Sequence, residues 1–99
     1  MPVYMMFVRD NPVHDQEAMA EYQRLNRKGP NNVPVKPLVA YGATEAIEGE
    51  APDGVVLLEF PTAEDAKAWY NSPAYQAAIP HRQKAADYRA FIVEGLPQG

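Results

Sequence analysis

The chain alternates between short, wholly apolar runs and segments in which apolar residues recur every three or four positions. The first run, "VYMMFV" at Val3–Val8, is apolar throughout and reads as a strand buried on both faces. "RDNPVHD" is a turn, and Asp15 then stands where a helix cap belongs, its carboxylate able to accept from the free amides of Glu17 or Ala18. Ala18, Met19, Tyr22 and Leu25 recur at helical spacing and predict a helix of about three turns. Arg24, Arg27 and Lys28 crowd its end as a solvated cluster that suits the helix dipole, and Gly29-Pro30 stops it.

"NNVPVKP" is a loop leading to a second strand, Lys36–Tyr41, with a bend or bulge at Gly42. "EAIEGEAPDG" predicts an irregular strand extension and then a turn at Pro52-Asp53-Gly54, the glycine taking positive φ. The third strand is Val55–Phe60, "VVLLEF", stopped by Pro61. Thr62 caps the next helix and Asp65 can reach back to it; Ala66, Trp69 and Tyr70 form the inward stripe. "WYNSPAYQ" then interrupts the pattern. Ser72 acts as a new cap and Pro73 takes the first helical position, where a missing amide costs nothing. Tyr75, Ala78 and Ile79 continue the apolar face, Pro80 breaks or kinks it, and "HRQKAAD" adds a last turn or two. A fourth strand runs Arg89–Val93.

The order is βαββαβ. It predicts an α+β, ferredoxin-like fold: a four-stranded antiparallel sheet with two helices on one face, in a single domain of 1–99. Such a sheet with one wet face should alternate apolar and polar residues, yet "VYMMFV" and "VVLL" do not. Two helices cover one face only. At about 25 cal/mol per Å2 of apolar surface, four or five large side chains left wet cost several kcal/mol. An isologous sheet-on-sheet contact removes that cost, so a homodimer is expected; the alternative is a monomer whose second face the 42–54 segment covers.

Composition narrows the partners. A net charge of -4 and a pI of about 5.0 speak against nucleic acid and against an anionic membrane surface. Cysteine is absent, which removes thiolate nucleophiles and zinc–thiolate sites and fits a cytoplasmic setting. The apolar start is too short for a signal or spanning segment.

Several stretches carry a family resemblance: "AMAEYQRL" on the first helix, "AIEGE" before the hairpin turn, "LLEFPTAEDAKAWYNSPAYQ", "HRQKA" and "FIVEG". Together they resemble the domain of unknown function 1330 family, most specifically in Glu59-Phe60-Pro61, Trp69-Tyr70, Ser72-Pro73, Tyr75 and Arg82. The chain departs from the family's usual pattern at Pro80. The resemblance implies a dimeric α+β barrel, in which two sheets close on each other, and no established activity.

Candidate chemistry gathers around the interrupted helix. Trp69, Tyr70 and Tyr75 either plug the core at the break or wall a cleft that stacks a flat ligand. Tyr4, Tyr22 and Tyr41 add hydroxyls where their faces point inward. Glu59, on the face of Val55 and Leu57, either pairs with Arg82 or Arg89 or serves as a general base. His81 is a candidate for acid–base work and Arg82 for clamping a carboxylate or enolate oxygen. His14 reads as a loop residue. No metal spacing, phosphate-cradling loop or dinucleotide fingerprint occurs, so neither metal nor cofactor is expected.

The readings that follow are an enzyme without a tightly bound cofactor, of isomerase, lyase or monooxygenase type, acting on a small aromatic or carbonyl compound, or a non-catalytic small-ligand-binding or stress-related homodimer. The RNA recognition motif shares the element order, but "DGVVLLEF" offers a single aromatic where that motif stacks bases.

Overall fold

The computed structural model describes residues 2–27 and 33–97. Along them run β1 (Val3–Arg9), α1 (Gln16–Arg27), β2 (Lys36–Ala40), β3 (Gly54–Phe60), α2 (Ala63–Tyr70), α3 (Pro73–Ala85) and β4 (Tyr88–Glu94). The strands form one antiparallel sheet in the order β2-β3-β1-β4, which is the ferredoxin-like arrangement expected from the element order. β1, apolar up to Val8, lies inside the sheet, paired with β3 on one side and β4 on the other. The expected helix stop at Gly29-Pro30, with Lys28, lies outside the described residues.

Alternation of side chains along each strand sorts the residues into two faces. Val3, Met5 and Phe7 of β1 and Leu58 and Phe60 of β3 pack beneath the helices in the core, with Ala18, Met19 and Tyr22 of α1 and Trp69 of α2. The residues between them point the other way. Met6 stands between Leu57 and Phe91, and Tyr4 between Glu59 and Val93. Phe91 and Val93 remain 44% and 47% exposed. The 41–53 segment is itself exposed and does not cover them. With Cα extents of 42 × 37 × 16 Å, the chain is a slab one helix layer and one sheet thick. At the edge of the open face Arg89 is held by Asp10 through bonds of 2.9 and 3.0 Å, which lower the Asp10 carboxyl below its usual range.

The caps form as their chemistry requires. The Ala18 amide donates to the Asp15 carboxylate at 2.9 Å. At α2 the Asp65 amide donates to the Thr62 hydroxyl, which in turn donates to the Asp65 carboxylate, at 3.1 and 3.0 Å. The break after Tyr70 is equally well satisfied. The Ser72 hydroxyl donates to the Trp69 carbonyl at 2.8 Å and accepts from the Tyr75 amide at 3.2 Å. The Gln76 side chain donates to the Tyr70 carbonyl at 2.8 Å. The second helical segment is therefore two helices, and the helical layer holds three.

Four expectations are corrected. Pro80 does not break α3, which continues to Ala85: the proline lies on the exposed side, where the Gln76 carbonyl it leaves without an amide can turn to water. The irregularity in β2 falls between Pro37 and Val39, not at Gly42. Residues 42–53 form no strand extension. Gly54 opens β3, and the positive φ belongs to Gly49, at 70°. Gly54 is needed for a different reason: a Cβ there would stand 2.9 Å from the Tyr41 ring.

Candidate functional site

The ring-rich break places its aromatics on top of one another. Trp69 and Tyr75 have centroids 4.3 Å apart. Phe7 approaches both from β1, at 6.4 and 6.2 Å, and Tyr22 meets Tyr75 edge-on from α1 at 6.2 Å. Because α2 stops at Tyr70 and α3 restarts at Pro73, Trp69 and Tyr75 leave two differently directed helices and can stack across the joint. Tyr75 is 1% exposed, so its hydroxyl must find partners inside the protein.

It has two. The Tyr22 hydroxyl lies 2.9 Å away, and Arg82 Nη1 donates to Tyr75 at 3.2 Å. Arg82, one turn before the end of α3, is itself only 5% exposed. Its guanidinium lies over the rings of Phe7 and Tyr88, 5.3 and 5.6 Å from their centroids, an arrangement that partly replaces lost hydration. Among the described residues no carboxylate pairs with it, and its Nε has no hydrogen-bond partner. The site thus contains a buried positive charge without a negative one, a costly arrangement.

Tyr88 extends the network. Its hydroxyl meets that of Tyr41 at 2.8 Å. Tyr41 sits just past β2 with a left-handed φ of 59°, sparsely populated for a residue with a side chain, and Arg9 lies 5.5 Å over its ring. Burial pushes the Tyr22 hydroxyl well above the ordinary tyrosine range, with the neighbouring Tyr75 adding to the effect. Burial also raises Tyr75, against the opposing pull of the nearby Arg82 charge. Burial and the Tyr88 bond raise Tyr41. All three are phenols that donate and do not ionise at neutral pH.

Beside this network a cleft of about 370 Å3 opens between α1 and the β2–β3 side of the sheet, with Phe7, Tyr22, Tyr41 and Trp69 among its walls. Gln23, Asn26 and Arg27 of α1 give it a polar rim. Among the described residues no Asp, Glu or His lines it.

The sequence candidates divide between places. Tyr22, Trp69, Tyr75 and Arg82 come together here. Tyr70 is 5.6 Å from Tyr75 but lines a different hollow of about 340 Å3, with Met5 and Phe91. Glu59 and Tyr4 are neighbours on the helix-free face. Glu59 pairs with neither expected arginine, since Arg82 is engaged by Tyr75 and Arg89 by Asp10. His81 is half-buried on α3 and His14 is exposed; neither lines the cleft. Phe7 and Tyr88 carried no sequence signal of their own: Phe7 sits in a strand whose apolar pattern says only that it is buried, and Tyr88 stands just before the expected fourth strand.

Three solved structures place the fold among known proteins. The RPA0582 protein of unknown function from Rhodopseudomonas palustris is 23% identical with a TM-score of 0.74, over 98% of this chain and 84% of that one. A dimeric ferredoxin-like protein of unknown function from Thermobifida fusca is 14% identical with a TM-score of 0.62, over 94% and 90%. SnoaB, a cofactor-independent oxygenase from Streptomyces nogalater, is 10% identical with a TM-score of 0.54, over 98% and 94%. These likenesses show the fold. Among curated proteins none matches. The chain does match, over residues 2–96, the family described as domain of unknown function (DUF1330), and it belongs to that family.

Proposed function

We propose that the protein is a homodimer that binds a small, flat aromatic or carbonyl compound in the cleft between α1 and the sheet, and acts on it without a resident cofactor. One observation carries this reading: an aromatic-walled cleft of about 370 Å3 lies one residue away from a buried arginine that no carboxylate among the described residues neutralises. A volume of that size suits a small ring system, and apolar walls with a few polar groups are the usual make-up of a ligand site. The Trp69 and Phe7 rings supply the stacking surface. Arg82, acting through Tyr75 and Tyr22, supplies positive potential where charge develops on a bound oxygen, an effect that strengthens with exclusion of water. The oxygenase with the same fold supports the idea that this scaffold can run cofactor-free chemistry.

The homodimer rests on the open sheet face, where Met6, Leu57, Phe91 and Val93 form an apolar patch, and on relatives described as dimeric. Glu59 lies on that face and has no part in the cleft.

Trp69 is the only tryptophan, so its fluorescence reports on the cleft. Titration with a panel of phenols and enolisable ketones should quench or shift that emission, and mass spectrometry of the recovered compounds should reveal turnover. No response from any of them would refute the ligand site. A second reading, a binder that returns its ligand unchanged, is favoured by a cleft lining that, among the described residues, holds no carboxylate or imidazole, since proton abstraction needs a base within reach. Recovery of unaltered ligand from a binding-competent protein selects it.

A further inference from the structure

We infer that the buried chain Arg82–Tyr75–Tyr22 runs in one direction only, so that Tyr22 offers its proton to an acceptor in the cleft and the ligand carries a phenolate or enolate oxygen to receive it. This rests on the cleft being the ligand site.

The direction follows from the donor inventory. A guanidinium has only donors, so the 3.2 Å contact from Arg82 Nη1 makes the Tyr75 oxygen an acceptor. Tyr75 is 1% exposed and cannot give its own proton to water. The other oxygen bonded to it is that of Tyr22, at 2.9 Å. Tyr75 therefore donates to Tyr22; the reverse order would leave the Tyr75 proton buried without an acceptor, at the desolvation cost of an unpaired polar group. The Tyr22 oxygen is then already an acceptor, and its own proton points elsewhere. Tyr22 lines the cleft, and the cleft is where an acceptor can be supplied.

The same chain selects for negative charge. Each hydrogen bond in the series polarises the next in a low-dielectric setting, and the series begins at a cation that, among the described residues, has no carboxylate partner and an unsatisfied Nε. An oxyanion at Tyr22 completes the charge balance that the protein leaves open. The aromatic walls fit an oxyanion delocalised over a flat π-system better than a compact, strongly hydrated carboxylate. Tyr22 is the residue in contact with ligand. Tyr75 and Arg82 are positioning residues acting through it.

The test uses 4-nitrophenol, whose anion absorbs visible light, and 4-nitroanisole, which cannot ionise, with the intact protein. Below the pKa of free 4-nitrophenol, binding should raise the phenolate absorbance. Tyr22→Phe should weaken nitrophenol binding about ten- to hundredfold, the range expected for a charge-assisted hydrogen bond. Tyr75→Phe should reduce the anion preference while Tyr22 stays in place. Both substitutions should weaken nitroanisole binding, read from Trp69 quenching, much less than they weaken nitrophenol binding. Nitrophenol bound in its neutral form, or bound as tightly as an anion by Tyr22→Phe, overturns the direction and leaves the ligand site standing. Failure of both probes to bind overturns the ligand site and this inference with it.

Discussion

The hydroxyls of Tyr22 and Tyr75 lie 2.9 Å apart although 53 positions separate them in the chain. One comes from α1 and the other from the first turn of α3. Their contact fixes the rotation of both helices over the sheet and joins the cleft to the buried Arg82.

That contact should be visible in stability. Tyr75→Phe strips the Arg82 guanidinium of the one side chain that hydrogen-bonds it among the described residues and should cost about 2–3 kcal/mol, because a buried charged donor is left unpaired. Tyr22→Phe leaves Arg82 bonded and should cost less, about 1–2 kcal/mol. The double variant should cost less than the sum, since both changes cut the same chain. Urea denaturation of the four proteins measures this; strict additivity would show that the hydroxyls act independently.

Alkaline pH gives a second readout. Tyr22 and Tyr75 are both raised above the ordinary tyrosine value of 10.0. Above that value the unfolded chain releases these protons while the folded protein keeps them. Their contribution is therefore fully present below pH 10.0 and is lost as pH rises beyond it. Stability should fall steeply from there, and the Tyr22→Phe, Tyr75→Phe double variant should show a shallower fall. An unchanged slope in the double variant would contradict the burial of these hydroxyls.

Pro80→Ala should stabilise the protein. The helix already passes through this position, and alanine restores an amide opposite the Gln76 carbonyl on the exposed side. A gain of about 1–3 kcal/mol is expected from the helix-interior difference between the two residues. Thermal melts followed by circular dichroism decide it, and a drop in melting temperature would mean that the proline's ring makes a contact worth more than the bond it removes.

Gly54→Ala should disturb the Tyr41 side of the cleft. The new methyl would meet the Tyr41 ring at 2.9 Å, so the ring must swing away and its bond to Tyr88 must lengthen or break. A loss of about 1–3 kcal/mol is the usual cost of such crowding. If Tyr41→Ala removes that penalty when combined with Gly54→Ala, the clash is its source; an undiminished penalty points to the β3 backbone instead.

The open sheet face supplies the last test. Phe91 lies there beside Met6 and is 44% exposed in the single chain. Phe91→Asp would place a charge within a sheet-on-sheet contact, where an unpaired carboxylate is strongly unfavourable. Native mass spectrometry should find dimers of the parent protein and monomers of the variant at the same micromolar concentration. A variant that stays dimeric would move the interface off this face.

Much of this architecture follows from local pattern. Continuous apolar runs marked β1 and β3, helical spacing marked α1, and Thr62, Ser72 and Asp15 marked helix starts, because strand and helix periods and cap chemistry depend on residues within a few positions of one another. The same alternation puts Glu59 on one face with Val55 and Leu57, and the excess of apolar residues over what two helices can cover is countable from composition and pattern alone.

What the sequence by itself could not decide was which of those residues would meet. Glu59 is turned from the cleft because Leu58 and Phe60 take the helix side, a choice made by packing and not by the strand. Arg82 joins Tyr75 and not Glu59 because α3 runs unbroken past Pro80 and carries the arginine inward. Tyr41 reaches Tyr88 across the end of the sheet because the register sets Gly54, with no side chain, and Arg9 in the row between them. Periodicity is a property of neighbouring backbone torsions and can be read along the chain. Convergence of side chains 47 or 53 positions apart depends on strand order, register and helix rotation, which are settled together when the core closes.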